Sequence, residues 1–169
     1  QTICSGGDPV AFTESAGATG SGALTYEWKQ STDGYAATLA TTVTYDVPSG
    51  LTTTTTYRRI TTSTLGGIPC FTASNDIVVT VNAVTPGIIA TAQTICNGGD
   101  PAAFTESAPS TGSGALTYQW KQSTDGYAAI LATTATYDVP SGLTSTTTYR
   151  RVTISTLGGV GCNANSNDV

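Results

Sequence analysis

The chain has 169 residues with no His or Met, six Lys plus Arg against eleven Asp plus Glu, and a net charge of −5. That balance excludes a nucleic-acid groove, which needs clustered cations, and the missing His excludes His-based catalytic triads. No stretch approaches 18 apolar residues, so no membrane-spanning helix is expected.

The chain is a tandem duplication. Gln1–Ile77 aligns with Gln93–Val169 without a gap, and 16 of the 77 positions differ, leaving 61 identical. A unit of about 92 residues suffices for one small core, giving repeat 1 over 1–83, a linker and start of the next unit over 84–92, and repeat 2 over 93–169. Repeat 2 stops at Val169, where repeat 1 runs on through "IVVTVNAVTPGIIATA". A window on a longer array is the main reading, with a sheet edge open beside the Tyr149 strand. A final strand donated by a neighbouring chain is the alternative.

In chain order, the turn cluster "SGGDP" precedes "PVAFTES", which offers Val10 and Phe12 to one face. "LTYEWKQS" sets Leu24, Tyr26 and Trp28 on one face of a strand, and the "STDG" turn follows. "TLATTVTYDV" reads as a strand burying Leu39, Thr41, Val43, Tyr45 and Val47. In "SGLTTTTTYRRITTST", Leu51 lies six residues ahead of Tyr57 (Leu143 and Tyr149 in repeat 2). That spacing fits a tyrosine corner at a strand entry, against a buried Trp28 or Trp120. Ile60 falls on the opposite parity, so a bulge or two-sided burial is needed there. "DIVVTVN" points Ile77, Val79 and Val81 to one side. β-branched Thr suits strands throughout, and no helical period of useful length appears. The fold expected is all-β: two tandem immunoglobulin-like or fibronectin-like β-sandwich repeats.

The order "ICSGG", "YEWKQSTDG", "TTTYRR", a late Cys and "SNDIVVTV" resembles the repeats of large Bacteroidetes cell-surface adhesins, the SprB-type gliding-motility adhesin and its relatives. The resemblance spans both units. It implies secretion to the outer surface, Ig-like units in long arrays, and adhesion or filament formation, with gliding and static attachment both left open. The partners implied are neighbouring repeats of the same protein, surface polysaccharide or solid surfaces, and self-assembly into filaments. It carries no catalytic residue and no cofactor.

One early and one late Cys per repeat, in a chain that looks secreted, read as disulfides Cys4–Cys70 and Cys96–Cys162. A tension accompanies this reading: the two positions sit near opposite ends of a plain Ig topology. A bridge between repeats, such as Cys4 with Cys162, is the rival. No metal motif accompanies the cysteines. The carboxylates lie in or beside turns, without acid–base spacing, so no enzyme is expected. Asp33, Tyr35, Asp125 and Tyr127, at and after the "STDG" turns, are the candidate ligand surface; a Tyr covering the end of the core is the bland alternative. A carbohydrate-binding accessory module of a secreted enzyme is the second functional reading.

Overall fold

The computed structural model describes all residues, Gln1–Val169, and contains β-strands and two short 3-10 turns but no α-helix. The chain is all-β, built as two tandem β-sandwich repeats. The compact units are Gln1–Val81 and Asn82–Val169.

In repeat 1 the strands are β1 (Thr2–Cys4), β2 (Ala23–Gln30), β3 (Thr55–Leu65), β4 (Ile68–Ala73) and β5 (Ile77–Asn82). The long β3 is the hub. One edge pairs antiparallel with all of β2, from Gln30 opposite Tyr57 to Ala23 opposite Thr64. Its other edge takes β5 at Thr55–Tyr57 and β4 at Ile60–Leu65, end to end. Beyond β5 lies β1, with Gln1 bonded on either side of Val79, to Val78 and Thr80. The facing layer is irregular backbone, tied by bridges of Phe12 to Tyr45, Gly7 to Leu51 and Trp28 to Ala40.

Between the layers pack Phe12, Trp28, Val47, Tyr57 and Val79, with Tyr45 and Leu39 at their margin. Trp28 is 3 % exposed and Trp120 is fully buried, as their places in the strands predict. Each indole N–H donates to a carbonyl, that of Thr42 or Thr134, at 3.0 Å. Tyr57 and Tyr149 are buried at the start of their strands. The Tyr57 hydroxyl meets the Thr55 side chain rather than upstream backbone, so the corner is made by packing.

Three details of the expected strands are corrected. Val10 is 75 % exposed while Phe12 is buried, because Pro9 and the Gln1 side chain hold the segment out of the sheet. The Gln1 amide clasps the Val10 N–H and C=O, both at 2.8 Å. "TLATTVTYDV" is not one strand: its backbone bends at Thr42–Thr44 and Val43 is exposed. The bend turns the Thr42 and Val43 carbonyls inward, where Trp28 and Arg59 Nη1 donate to them. Ile60 needs no bulge. The register of β3 is continuous, and the inward face is Thr55, Tyr57, Arg59 and Thr61, with an arginine where an aliphatic residue was sought.

Repeat 2 contains β6 (Val84–Thr85), β7 (Ile88–Ile89), β8 (Glu106–Ala108), β9 (Thr111–Gly112), β10 (Ala115–Gln122), β11 (Tyr149–Leu157) and β12 (Val160–Asn165). The order β10-β11-β12 repeats β2-β3-β4, and β6 and β7 pair with β9 and β8. Segment 84–92, expected as a linker and start of the next unit, thus folds into repeat 2, and Ile89 is 1 % exposed beside Phe104 and Trp120. Where repeat 1 inserts β5, repeat 2 has a groove of about 540 Å³ between Gln93–Asn97 and Thr144–Tyr149.

The cysteines depart from the expected pairs. Cys4 is disulfide-bonded, as is Cys162, whereas Cys70 and Cys96 are free and exposed. Neither Cys4–Cys70 nor Cys96–Cys162 forms, and the strand geometry explains why. Gln1 lies level with Val79, which pairs with Thr55; β1 then runs past the end of β3, and Gly6 reaches Leu51. Cys70 pairs with Ser63, eight residues further along β3. At ~3.4 Å per residue that separates the two by more than ~25 Å, against the ~7 Å limit for bridged Cα atoms. In repeat 2 the Gly98 N–H reaches the Leu143 carbonyl, ahead of β11, while Cys162 pairs with Ser155 near its far end.

Candidate ligand surface

Successive strand residues point to opposite faces, so the Arg58–Arg59 pair divides its work. Arg59 goes inward and Arg58 outward, toward the end of β2.

There the strand stops at Gln30, and Ser31–Asp33 make one 3-10 turn closed by left-handed Gly34. Tyr35 is left-handed too, at φ 65°, as is Tyr127 at 64°. A bulky residue in this region is strained, at a cost on the order of 1–3 kcal/mol, and persists only when its surroundings hold it. Here they do. The Tyr35 N–H donates to the Gln30 carbonyl at 2.8 Å, and the Asp33 carboxylate accepts from the Ala36 and Ala37 N–H groups at 3.3 and 3.0 Å. The Arg58 guanidinium lies 3.9 Å over the Tyr35 ring and forks onto Asp76 at 2.9 and 3.0 Å. The Asp76 hydrogen bond, chiefly, raises the Arg58 pKa above its ordinary value.

Repeat 2 reproduces the arrangement. Arg150 stands 3.7 Å over Tyr127 and forks onto Asp168 at 2.8 and 2.9 Å, and Asp125 caps Ala128 and Ala129. The lysines differ: Lys29 pairs with Glu27 at 3.2 Å, whereas Lys121, facing Gln119 in place of that acid, donates to the Tyr127 carbonyl at 3.1 Å.

The expected residues Asp33, Tyr35, Asp125 and Tyr127 therefore do share one loop in each repeat. Asp33 and Asp125 spend their oxygens on that loop's backbone. Each tyrosine, half-buried, has one ring face occupied by a guanidinium, where an apolar ligand would otherwise stack. What the ledge offers is an Asp–Arg–Tyr stack, duplicated. Sequence reasoning had passed over Arg58 and Asp76; their signal was the "YRR" parity together with the "SND" that follows the late Cys.

The inward arginines form a second polar cluster. Arg151 is fully buried. Its Nη1 donates to the Ala135 carbonyl at 2.8 Å, and its Nη2 to the Pro86 carbonyl at 3.0 Å and Glu106 Oε1 at 2.5 Å. Burial pushes the Glu106 carboxyl up, but bonds from Arg151 and Ser110 outweigh it and hold it below the usual value. Arg59 pairs with Glu14 and donates to the Val43 carbonyl at 2.7 Å.

The chain belongs to the family described as Domain of unknown function (DUF8696), whose model matches residues 1–83 and again 85–169. The two matches define the class, a tandem array of one all-β domain. No curated protein matches the chain.

Proposed function

We propose that the chain is a non-enzymatic repeat module of an extracellular bacterial surface adhesin or filament, of the Bacteroidetes type its motifs resemble. The observation that carries the reading is duplication without divergence: both repeats keep the same Asp–Arg–Tyr ledge with the same bonds. Sixteen substitutions among 77 positions leave the ledge untouched. A catalytic or single-ligand protein gains little from an identical second site. An array gains strength from many weak contacts through effective concentration. A disulfide fits an oxidising exterior, and no helix is long and apolar enough to cross a membrane.

Beads coated with the chain should adhere to polysaccharide-coated or bare solid surfaces. Joint substitution of Tyr35 and Tyr127 by Ala should weaken adhesion more than either change alone. Adhesion to no surface, or unchanged adhesion in the double variant, overturns the reading.

The strained Tyr35 and Tyr127 loops favour a second reading, a carbohydrate-binding accessory module of a secreted enzyme. That reading requires saturable binding of one soluble oligosaccharide, detected by calorimetry, which the array reading does not.

A further inference from the structure

The two repeats are nearly identical in sequence, yet one face of the β3–β4 side differs between them. In repeat 2 this face carries the segment Asn82–Ile89. The Asn82 side chain donates to the carbonyls of Ser155 and Val160 at 2.7 and 2.9 Å and accepts from the Ser155 hydroxyl at 2.7 Å. The Pro86 carbonyl accepts from Arg151 Nη2 and from the Thr153 hydroxyl at 3.0 and 3.1 Å. The Ile89 N–H donates to Asn167 Oδ1 at 2.9 Å, and β6 and β7 pair with β9 and β8.

Repeat 1 retains every residue that meets the segment by hydrogen bond on this face: Ser63, Ile68, Arg59, Thr61 and Asn75 stand where repeat 2 has Ser155, Val160, Arg151, Thr153 and Asn167. None of them holds such a segment. Arg59 Nη2 bonds Glu14 without a second acceptor, and Asn75 reaches only the Asp76 carbonyl at 3.4 Å. The edge corresponding to β8 and β9, residues 14–20, forms no strand. On the same face Leu65 and Ile68 are 61 % and 70 % exposed, unusual for large apolar side chains beside one another.

We propose that this face of repeat 1 is a docking site for the Asn82–Ile89 segment of another copy of the repeat. The occupant adds two short strands to the 14–20 edge, places its Asn carbonyl and amide on Ser63 and Ile68, and caps Arg59 and Thr61 with its Pro carbonyl. Each copy receives this segment from the copy before it, by β-augmentation. The inference stands whether or not the array adheres to anything.

The test uses the full 169-residue chain, isotope-labelled, titrated with a synthetic peptide of residues 82–91 and followed by amide NMR. Saturable shifts confined to Arg59, Thr61, Ser63, Asn75 and the 14–20 edge are expected, with repeat 2, already filled, unmoved. Asn75→Ala in the chain should weaken the peptide about fivefold, the worth of one net hydrogen bond. A Gly87→Val peptide should not bind: Gly87 has φ +73°, and a Cβ there would lie 2.7 Å from both Ala108 O and Ser110 N in the filled repeat. No saturable shift at millimolar peptide, equal shifts in repeat 2, or equal binding of the Gly87→Val peptide overturns the proposal.

Discussion

Replacing Arg151 by Met is the sharpest probe of what holds repeat 2 together. Met keeps the aliphatic stem's volume and removes the guanidinium. The Ala135 and Pro86 carbonyls and Glu106 each lose a donor, and the cation over Tyr118 at 4.6 Å goes with them. Breaking a buried ion pair from one side costs about 3–5 kcal/mol, because the remaining charge is stranded. The same change at Arg59 lacks the Pro86 bond, so it should cost about 1 kcal/mol less. Adding Glu106→Gln to Arg151→Met removes the stranded charge, so the double variant should cost clearly less than the sum of the two singles.

Each repeat has one Trp, so a Trp28→Phe background lets Trp120 report repeat 2 alone during urea unfolding. Its indole lies 6.0 Å from the Arg151 guanidinium carbon, and the fluorescence baseline of the variant must be recorded separately. An Arg151→Met cost below about 1 kcal/mol, or strict additivity in the cycle, would refute a pairing-based account of this cluster.

Trp120→Ala should destabilise repeat 2 by about 3–5 kcal/mol through the cavity it leaves, read as a lower urea midpoint. Alkylation of the unfolded, unreduced chain followed by peptide mapping should modify Cys70 and Cys96 and spare Cys4 and Cys162; the reverse pattern refutes the pairing. Acid should weaken repeat 2 through Glu106: its folded pKa is depressed, so its contribution is present above the ordinary carboxylate value and lost as pH falls through the folded one. A Glu106→Gln variant should lose that part of the acid slope in a pH series of urea midpoints. Alkali should weaken both repeats, since burial foremost raises the hydroxyl pKa of Tyr45, Tyr57, Tyr137 and Tyr149 above 10.0. That stability is present below the ordinary Tyr value and lost as pH rises through the folded ones.

Alternation made the sheet legible. Trp28 and Tyr57 were placed because period two is a local property of a strand. Arg59 was missed because composition alone sends an arginine to solvent; only the layer opposite, with the Val43 carbonyl and Glu14, makes its burial tolerable. The same layer hid the break at Thr42–Thr44, which serves two donors distant in sequence. The disulfide pairs failed for a related reason. Cysteine counting ignores length along a strand, and eight residues of β3 lie between the two levels. At the candidate ledge, Tyr35 was found from its turn, but its guanidinium cover depends on which way Arg58 points, and the parity of "YRR" held that answer.

The phase of the repeat is the deeper lesson. Sequence identity begins at Gln93, but the folded unit begins at Asn82, so residues 82–92 have no counterpart within the chain, and 84–92 reads as a linker and start of the next unit. Packing makes it the second. Ile89 is buried in the repeat 2 core, and Asn82 and Pro86 satisfy groups on β11 that would otherwise lose a partner. Because β5 runs directly into this segment, one continuous stretch of chain, 77–89, completes the sheet of one repeat and the facing edge of the next. A substitution there, such as Asn82→Ala, touches repeat 2 although Asn82 falls in the first sequence match, 1–83. The Asn82→Ala variant leaves the buried Ser155 carbonyl and hydroxyl, and the half-buried Val160 carbonyl, without that partner. About 1–3 kcal/mol of loss is expected for such unsatisfied groups, read from Trp120 with Trp28 unchanged. Loss read from Trp28 instead would mean that folding units follow the sequence repeat after all.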